Sequence, residues 1–172
     1  LSKLNLCIYS PMNYILDSKQ DFYSDLYDTE TTKGTSFKQS HREKSLQTLM
    51  RVNLLKRLES SVDSFRITLK KLVIGIQRNI DKIDEFEDNG ITGYVDEAQV
   101  NNVNLDAESD DWLDDEFSIG DKVKINLADM NTAGWKTDLQ TDYDIASELL
   151  TEMEKVTPEN DKKLQDLKAF IE

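Results

Sequence analysis

The residues whose types and spacing could do chemistry are few, and each constellation lacks a member. Lys33-Gly34-Thr35-Ser36 holds the glycine, lysine and hydroxyls of a phosphate-binding loop. Such a loop needs an upstream glycine ahead of Gly-Lys-Ser/Thr so that backbone amides can surround the phosphates. Here the order is reversed and that glycine is missing, so an ordinary loop is expected. Asp96-Glu97-Ala98-Gln99 spells a Mg²⁺-coordinating acidic box, but those carboxylates should follow a buried hydrophobic strand, whereas these lie in an acidic stretch. A chance match is the expectation. For calcium, placing Gly90 at the sixth position of an EF-hand loop puts Glu85 first, Glu87 third, Thr92 at the hydrophobic eighth and Asp96 where a bidentate Glu belongs. A solvated acidic loop fits better. His41 is the only histidine and Cys7 the only cysteine. A multi-histidine metal centre, an internal disulfide and a cysteine-rich zinc site are thereby excluded, and His41 is expected to be exposed or capping. No catalytic, cofactor-binding or metal-ligating residue is assigned.

The remaining chemistry is charge. The net charge of −13 argues at first against a nucleic-acid partner, but it is unevenly distributed. Residues 84–118 contain 13 acids and no Lys or Arg, and so account for the whole of it. Residues 38–82 carry 11 bases against 4 acids. The bases are Lys38, Arg42, Lys44, Arg51, Lys56, Arg57, Arg66, Lys70, Lys71, Arg78 and Lys82. Two uses fit this basic face. It is solvated or paired with acids of the same chain, or it meets a nucleic-acid backbone or a neighbouring domain, where Arg suits phosphate and carboxylate. No aromatic residues interleave with it to stack single-stranded bases.

These side chains must be positioned by helices. From residue 46 to 86 there is no proline, and Leu46, Leu49, Leu55, Leu58, Val62, Phe65, Leu69, Leu72, Ile76, Ile80 and Ile83 recur mostly at steps of three or four. That spacing predicts one very long amphipathic helix, or two in series broken at Ser60-Ser61 with Asp63 helping to start the second. Residues 4–9 are apolar apart from Asn5 and end at Ser10-Pro11, which predicts a strand or extended segment. Ile15, Leu16, Phe22, Tyr23, Leu26 and Tyr27 predict a first helix from Met12, followed by a loop over residues 29–36. Residues 88–120 form an acidic insert with too few apolar anchors to repay the entropy of ordering, and a flexible segment is expected. Val123, Ile125 and Leu127 permit a short strand or an extended connector. Asn131 or Thr132 would cap a helix with Trp135, Leu139, Tyr143, Ala146, Leu150 and Met153 on one face, packed antiparallel on the central stretch. Thr157-Pro158-Glu159 predicts the start of a last helix, buried through Leu164, Leu167, Phe170 and Ile171. The expected fold is all-α: long antiparallel amphipathic helices, the acidic insert, and one or two very short strands.

At 172 residues, 38% apolar and 32% charged, the chain has the length and composition of one polar, helix-rich domain. No run approaches the roughly 18 apolar residues of a membrane span, so a soluble, cytoplasmic protein with no membrane partner is expected. The chain opens without Met and closes just after an amphipathic pattern, which suggests a piece of a longer protein.

One word carries a resemblance. Leu54-Leu55-Lys56-Arg57-Leu58-Glu59-Ser60-Ser61-Val62-Asp63-Ser64-Phe65 resembles the helical connection between the two RecA-like lobes of bacterial Swi/Snf-like superfamily II helicases. Ile8-Tyr9-Ser10-Pro11 with Tyr14, Arg42-Glu43 leading to Leu46 and Leu49-Met50, Thr68-Leu69, and Asp161-Lys162-Lys163-Leu164 with Leu167 extend the resemblance, in order, outside residues 88–120. It implies a single inter-lobe helical domain over residues 1–172 of an ATP-dependent DNA helicase or translocase. ATP and Mg²⁺ would be held by the parent protein and not by these residues. The partners it implies are the RecA-like lobes of the same chain, and DNA. Lys56, Arg57, Glu59, Ser60, Ser61 and Phe65 become the signature positions, with Phe65 a packing anchor and Arg57 an ionic contact to a lobe or phosphate. Arg51, Arg66, Lys70, Lys71 and Arg78 form the basic face beside them. The competing reading is a self-contained helical interaction module whose acidic insert recruits a basic protein or mimics DNA charge.

Overall fold

The computed structural model describes residues 3–30, 36–90, 93–96, 124–157 and 159–171. The fold is all-α. Helix α1 spans Asp17–Tyr27, α2 Gln39–Ser60, α3 Val62–Asn89, α4 Thr132–Glu154 and α5 Lys162–Ile171. Two short antiparallel ladders accompany them: β1 (Thr29–Glu30) with β2 (Ser36–Phe37), and β3 (Tyr94–Asp96) with β4 (Lys124–Asn126). Among the described residues no helix is long and apolar enough to cross a membrane.

The central stretch is two helices in series. Ser61 leaves the helical conformation at φ −157°, and its side chain accepts from the Ser64 N–H to start α3. At 22 and 28 residues, α2 and α3 extend about 33 and 42 Å. Helix α3 ends at Gly90, whose φ of +60° suits glycine and whose N–H reaches the Phe86 carbonyl. Phe65, Leu69, Leu72, Ile76, Ile80 and Ile83 of α3 are buried against Trp135, Leu139 and Ala146 of α4 in one core. The two helices run antiparallel: Lys136 at the start of α4 pairs with Asp84 and Glu87 near the end of α3, and Arg66 near the start of α3 reaches carbonyls at the end of α4. Asn131 caps α4, its Oδ1 accepting from the Gly134 N–H at 3.0 Å.

Several expectations are corrected. Residues 4–9 are not a strand. Two 3₁₀ turns, Cys7–Tyr9 and Pro11–Tyr14, form a buried strap between α2 and α4, because side chains of those helices take the backbone groups a strand would offer to a neighbour. Helix α1 starts at Asp17 instead of Met12, after Ile15 pairs with Met130 in a single bridge. Of its apolar residues only Tyr23 is buried, while Leu16, Phe22 and Leu26 face outward. The ends of the expected 29–36 loop pair as β1 and β2. On α2 the buried face is Gln39, Glu43, Leu46 and Leu54, and Leu55 and Leu58 point away from it. The last helix starts at Lys162, capped by Asp161 accepting from the Leu164 N–H, after a turn closed by Thr157 and Asn160. It buries none of its residues. The short strand near residue 125 is present as β4. Most of the acidic insert, together with Lys33-Gly34-Thr35 and Glu97-Ala98-Gln99, lies outside the described residues.

Candidate functional site at the helix break and basic face

The signature residues build the joint between α2 and α3. The Ser61 N–H donates to the Arg57 carbonyl at 2.9 Å, and the Phe65 N–H to the Ser61 carbonyl at 3.0 Å. The Arg57 guanidinium crosses the break and donates to Ser64 Oγ at 3.0 Å. Phe65 is buried in the core four residues past the break. Lys56, Glu59 and Ser60 are exposed, and the Glu59 carbonyl accepts from Lys163 Nζ of α5. The arrangement ties the end of α2 to the first turn of α3 across the non-helical Ser61 and leaves Lys56 outward beside the break.

The basic face divides into tied and outward groups. Arg51 donates through Nε and Nη2 to the Leu4 carbonyl at 3.3 and 3.1 Å. Arg66 pairs with Asp63 at 2.8 Å and donates to the Met153 and Val156 carbonyls at 2.9 and 2.8 Å, satisfying acceptors that the end of α4 leaves open. Arg42, Lys71 and Lys82 are half-buried and interact within the chain. Lys38, Lys44, Lys56, Lys70 and Arg78 are exposed. The outward cations on α2, its N-cap and α3 can offer positive charge to an anion, with four arginines, Arg42, Arg51, Arg57 and Arg66, committed to internal contacts.

Sequence reasoning missed the polar clamp that seats the strap. Asp142 is fully buried, and its two oxygens accept from the N–H groups of Asn5 at 2.6 Å and Cys7 at 2.8 Å. Glu43, also fully buried, accepts from the Met12 N–H at 3.2 and 3.3 Å. Gln47 donates to the Asn5 and Leu6 carbonyls, each at 3.3 Å, and to Ser10 Oγ at 2.7 Å, while Trp135 Nε1 reaches the Cys7 carbonyl at 3.3 Å. Leu6 sits in the left-handed region at φ +59°, a strain that this clamp and full burial hold in place. The available signal was the position of Asp142, an acid set between Leu139 and Ala146 on the apolar face of α4. Burial, with Asp142 alongside, pushes the Cys7 thiol far up, so it is no thiolate nucleophile at neutral pH. Burial and the 2.6 Å hydrogen bond to Asp138 likewise raise Tyr14. On α1, Tyr23 donates to Asp129 at 2.9 Å and accepts from the Asn126 N–H at 3.1 Å, and burial pushes its hydroxyl up to about 12.

Among the described residues no group of three or more His, Cys, Asp or Glu side chains could hold a metal ion. Glu87, an acid of the sequence's calcium candidate, is with Asp84 a partner of Lys136. No protein-family profile, no curated protein and no solved structure matches the chain.

Proposed function

We propose that the chain is the helical connector between the two RecA-like lobes of a Swi/Snf-like DNA helicase or translocase, setting the lobe geometry and meeting DNA with its outward cations. The observation that carries this reading is the joint itself. Three of the six signature residues form the break between two long helices: Ser61 caps, Arg57 bridges to Ser64, and Phe65 anchors the start of α3 in the core. A connector that transmits orientation needs a tied joint of this kind. Lys38, Lys44, Lys56, Lys70 and Arg78 are the exposed cations of the basic face left to contact phosphate. In this reading ATP and Mg²⁺ belong to the flanking lobes, and no chemical step is assigned to these residues.

Sequencing the gene on both sides of this segment tests the proposal. A phosphate-binding loop and acidic box upstream, with an arginine-containing motif downstream, are expected. A reading frame holding neither would sink it and leave the acidic interaction module. In the full-length protein, joint reversal of Lys70 and Arg78 to Glu should weaken duplex binding and reduce the slope of log affinity against log salt by about two. An unchanged slope removes the DNA contact from the reading.

A further inference from the structure

Two apolar ridges lie uncovered at one corner of the molecule. On α5, Leu167, Phe170 and Ile171 are 55, 88 and 75% exposed. On α2, Val52, Leu55 and Leu58 are 41, 48 and 38% exposed. The helices meet where Lys163 Nζ donates to the Glu59 carbonyl, at the start of α5 and the end of α2.

Counted from that contact, the two sequences mirror each other. Leu164, Leu167 and Phe170 stand one, four and seven residues after Lys163, and Leu58, Leu55 and Val52 stand one, four and seven before Glu59. Helices share a rise of about 1.5 Å per residue, so two running in opposite directions from a common point keep these residues at matching heights. At three steps Asp166 comes level with Lys56, and nowhere within eight steps do like charges oppose. Leu164, next to the contact, is already half-buried.

We propose that α5 closes antiparallel onto the outer face of α2, turning about its cap at Asp161, and that Val52, Leu55 and Leu58 are the seat of the chain's own last helix. Closure layers Leu164 on Leu58, Leu167 on Leu55, and Phe170 on Val52, with Asp166 beside Lys56. A protein that binds the α2 ridge must first displace α5, which makes the last helix a competitive cover. This inference does not depend on the helicase reading.

Cysteine cross-linking in the 172-residue chain tests it. Leu55→Cys with Leu167→Cys is the matched pair, and Leu55→Cys with Ala169→Cys, which places the second thiol on the other side of α5, is the control. All three positions are exposed, so the substitutions remove little packing, and Cys7 is buried and does not compete. In oxidised glutathione the matched pair should form an intramolecular disulfide about tenfold faster than the control, since a disulfide needs Cα atoms roughly 4.4–6.8 Å apart. Equal rates, no cross-link, or cross-linked dimers in which a second copy occupies the ridge would each overturn the proposal.

Discussion

The α3–α4 interface and α5 are written in the same sequence pattern and end differently. Both carry apolar residues at steps of three and four, yet α3 and α4 bury theirs in the common core while α5 buries none. The pairs at the two ends of the α3–α4 contact account for the difference. Lys136 with Asp84 and Glu87, and Arg66 with the carbonyls of Met153 and Val156, set the register of the long helices. Helix α5 has Lys163 on the Glu59 carbonyl at its start and no buried residue to hold its far end. Amphipathic spacing therefore specifies a face, and ionic or polar pins at the helix ends specify where the face goes.

The comparison can be broken at its tightest point. Trp135 is fully buried between α3 and the strap, and Trp135→Ala should cost about 4 kcal/mol in urea unfolding, enough to threaten the fold. If the loss is below about 1 kcal/mol, the interface is not the main source of stability. Asp142→Ala comes next. It leaves the part-buried N–H of Asn5 and the buried N–H of Cys7 without acceptors and should cost about 3 kcal/mol, while Asp142→Asn, which keeps one acceptor oxygen, should lose roughly half as much. Equal losses for the two variants would show that the clamp works by shape rather than by hydrogen bonding.

The smallest effect is confined to alkaline pH. Tyr23 is raised in the fold from the ordinary 10.0 to about 12, chiefly by burial. Between those values the unfolded chain loses its proton first, so the contribution is complete below pH 10 and declines as pH rises toward 12. Tyr23→Phe should leave a shallower fall of stability with pH across that window. An unchanged slope would mean that other groups govern it, Tyr14 and Cys7 being raised as well.

Much of the helical plan was legible in the residues. The break at Ser60-Ser61, the cap at Asn131, the α4 face and the strand at β4 followed from local rules, because capping and periodicity act over a few residues. The strap was not legible. Its hydrogen bonds come from distant residues, Asp142 about 135 and Gln47 37–42 positions away among them, and a run of apolar side chains does not show which backbone groups a distant carboxylate will take. The outward turn of Leu55, Leu58, Leu167, Phe170 and Ile171 was hidden for a related reason, since spacing does not count available partners. The candidate site was legible in position more than in use. Nothing in its composition marks Arg51 and Arg66 as bound to carbonyls and Lys70 and Arg78 as exposed.

The strap has one further consequence, for how this chain tolerates substitution. Asp142, Glu43 and Gln47 hold it largely by its peptide groups, which every residue except proline presents alike. Asn5, exposed between buried neighbours, can therefore drift to almost any other type without loosening the seat, whereas an Asn5→Pro change removes the N–H that Asp142 holds at 2.6 Å. Lineages of this protein should vary freely at that position and keep their constraint some 137 residues away, on the helix that supplies the acid.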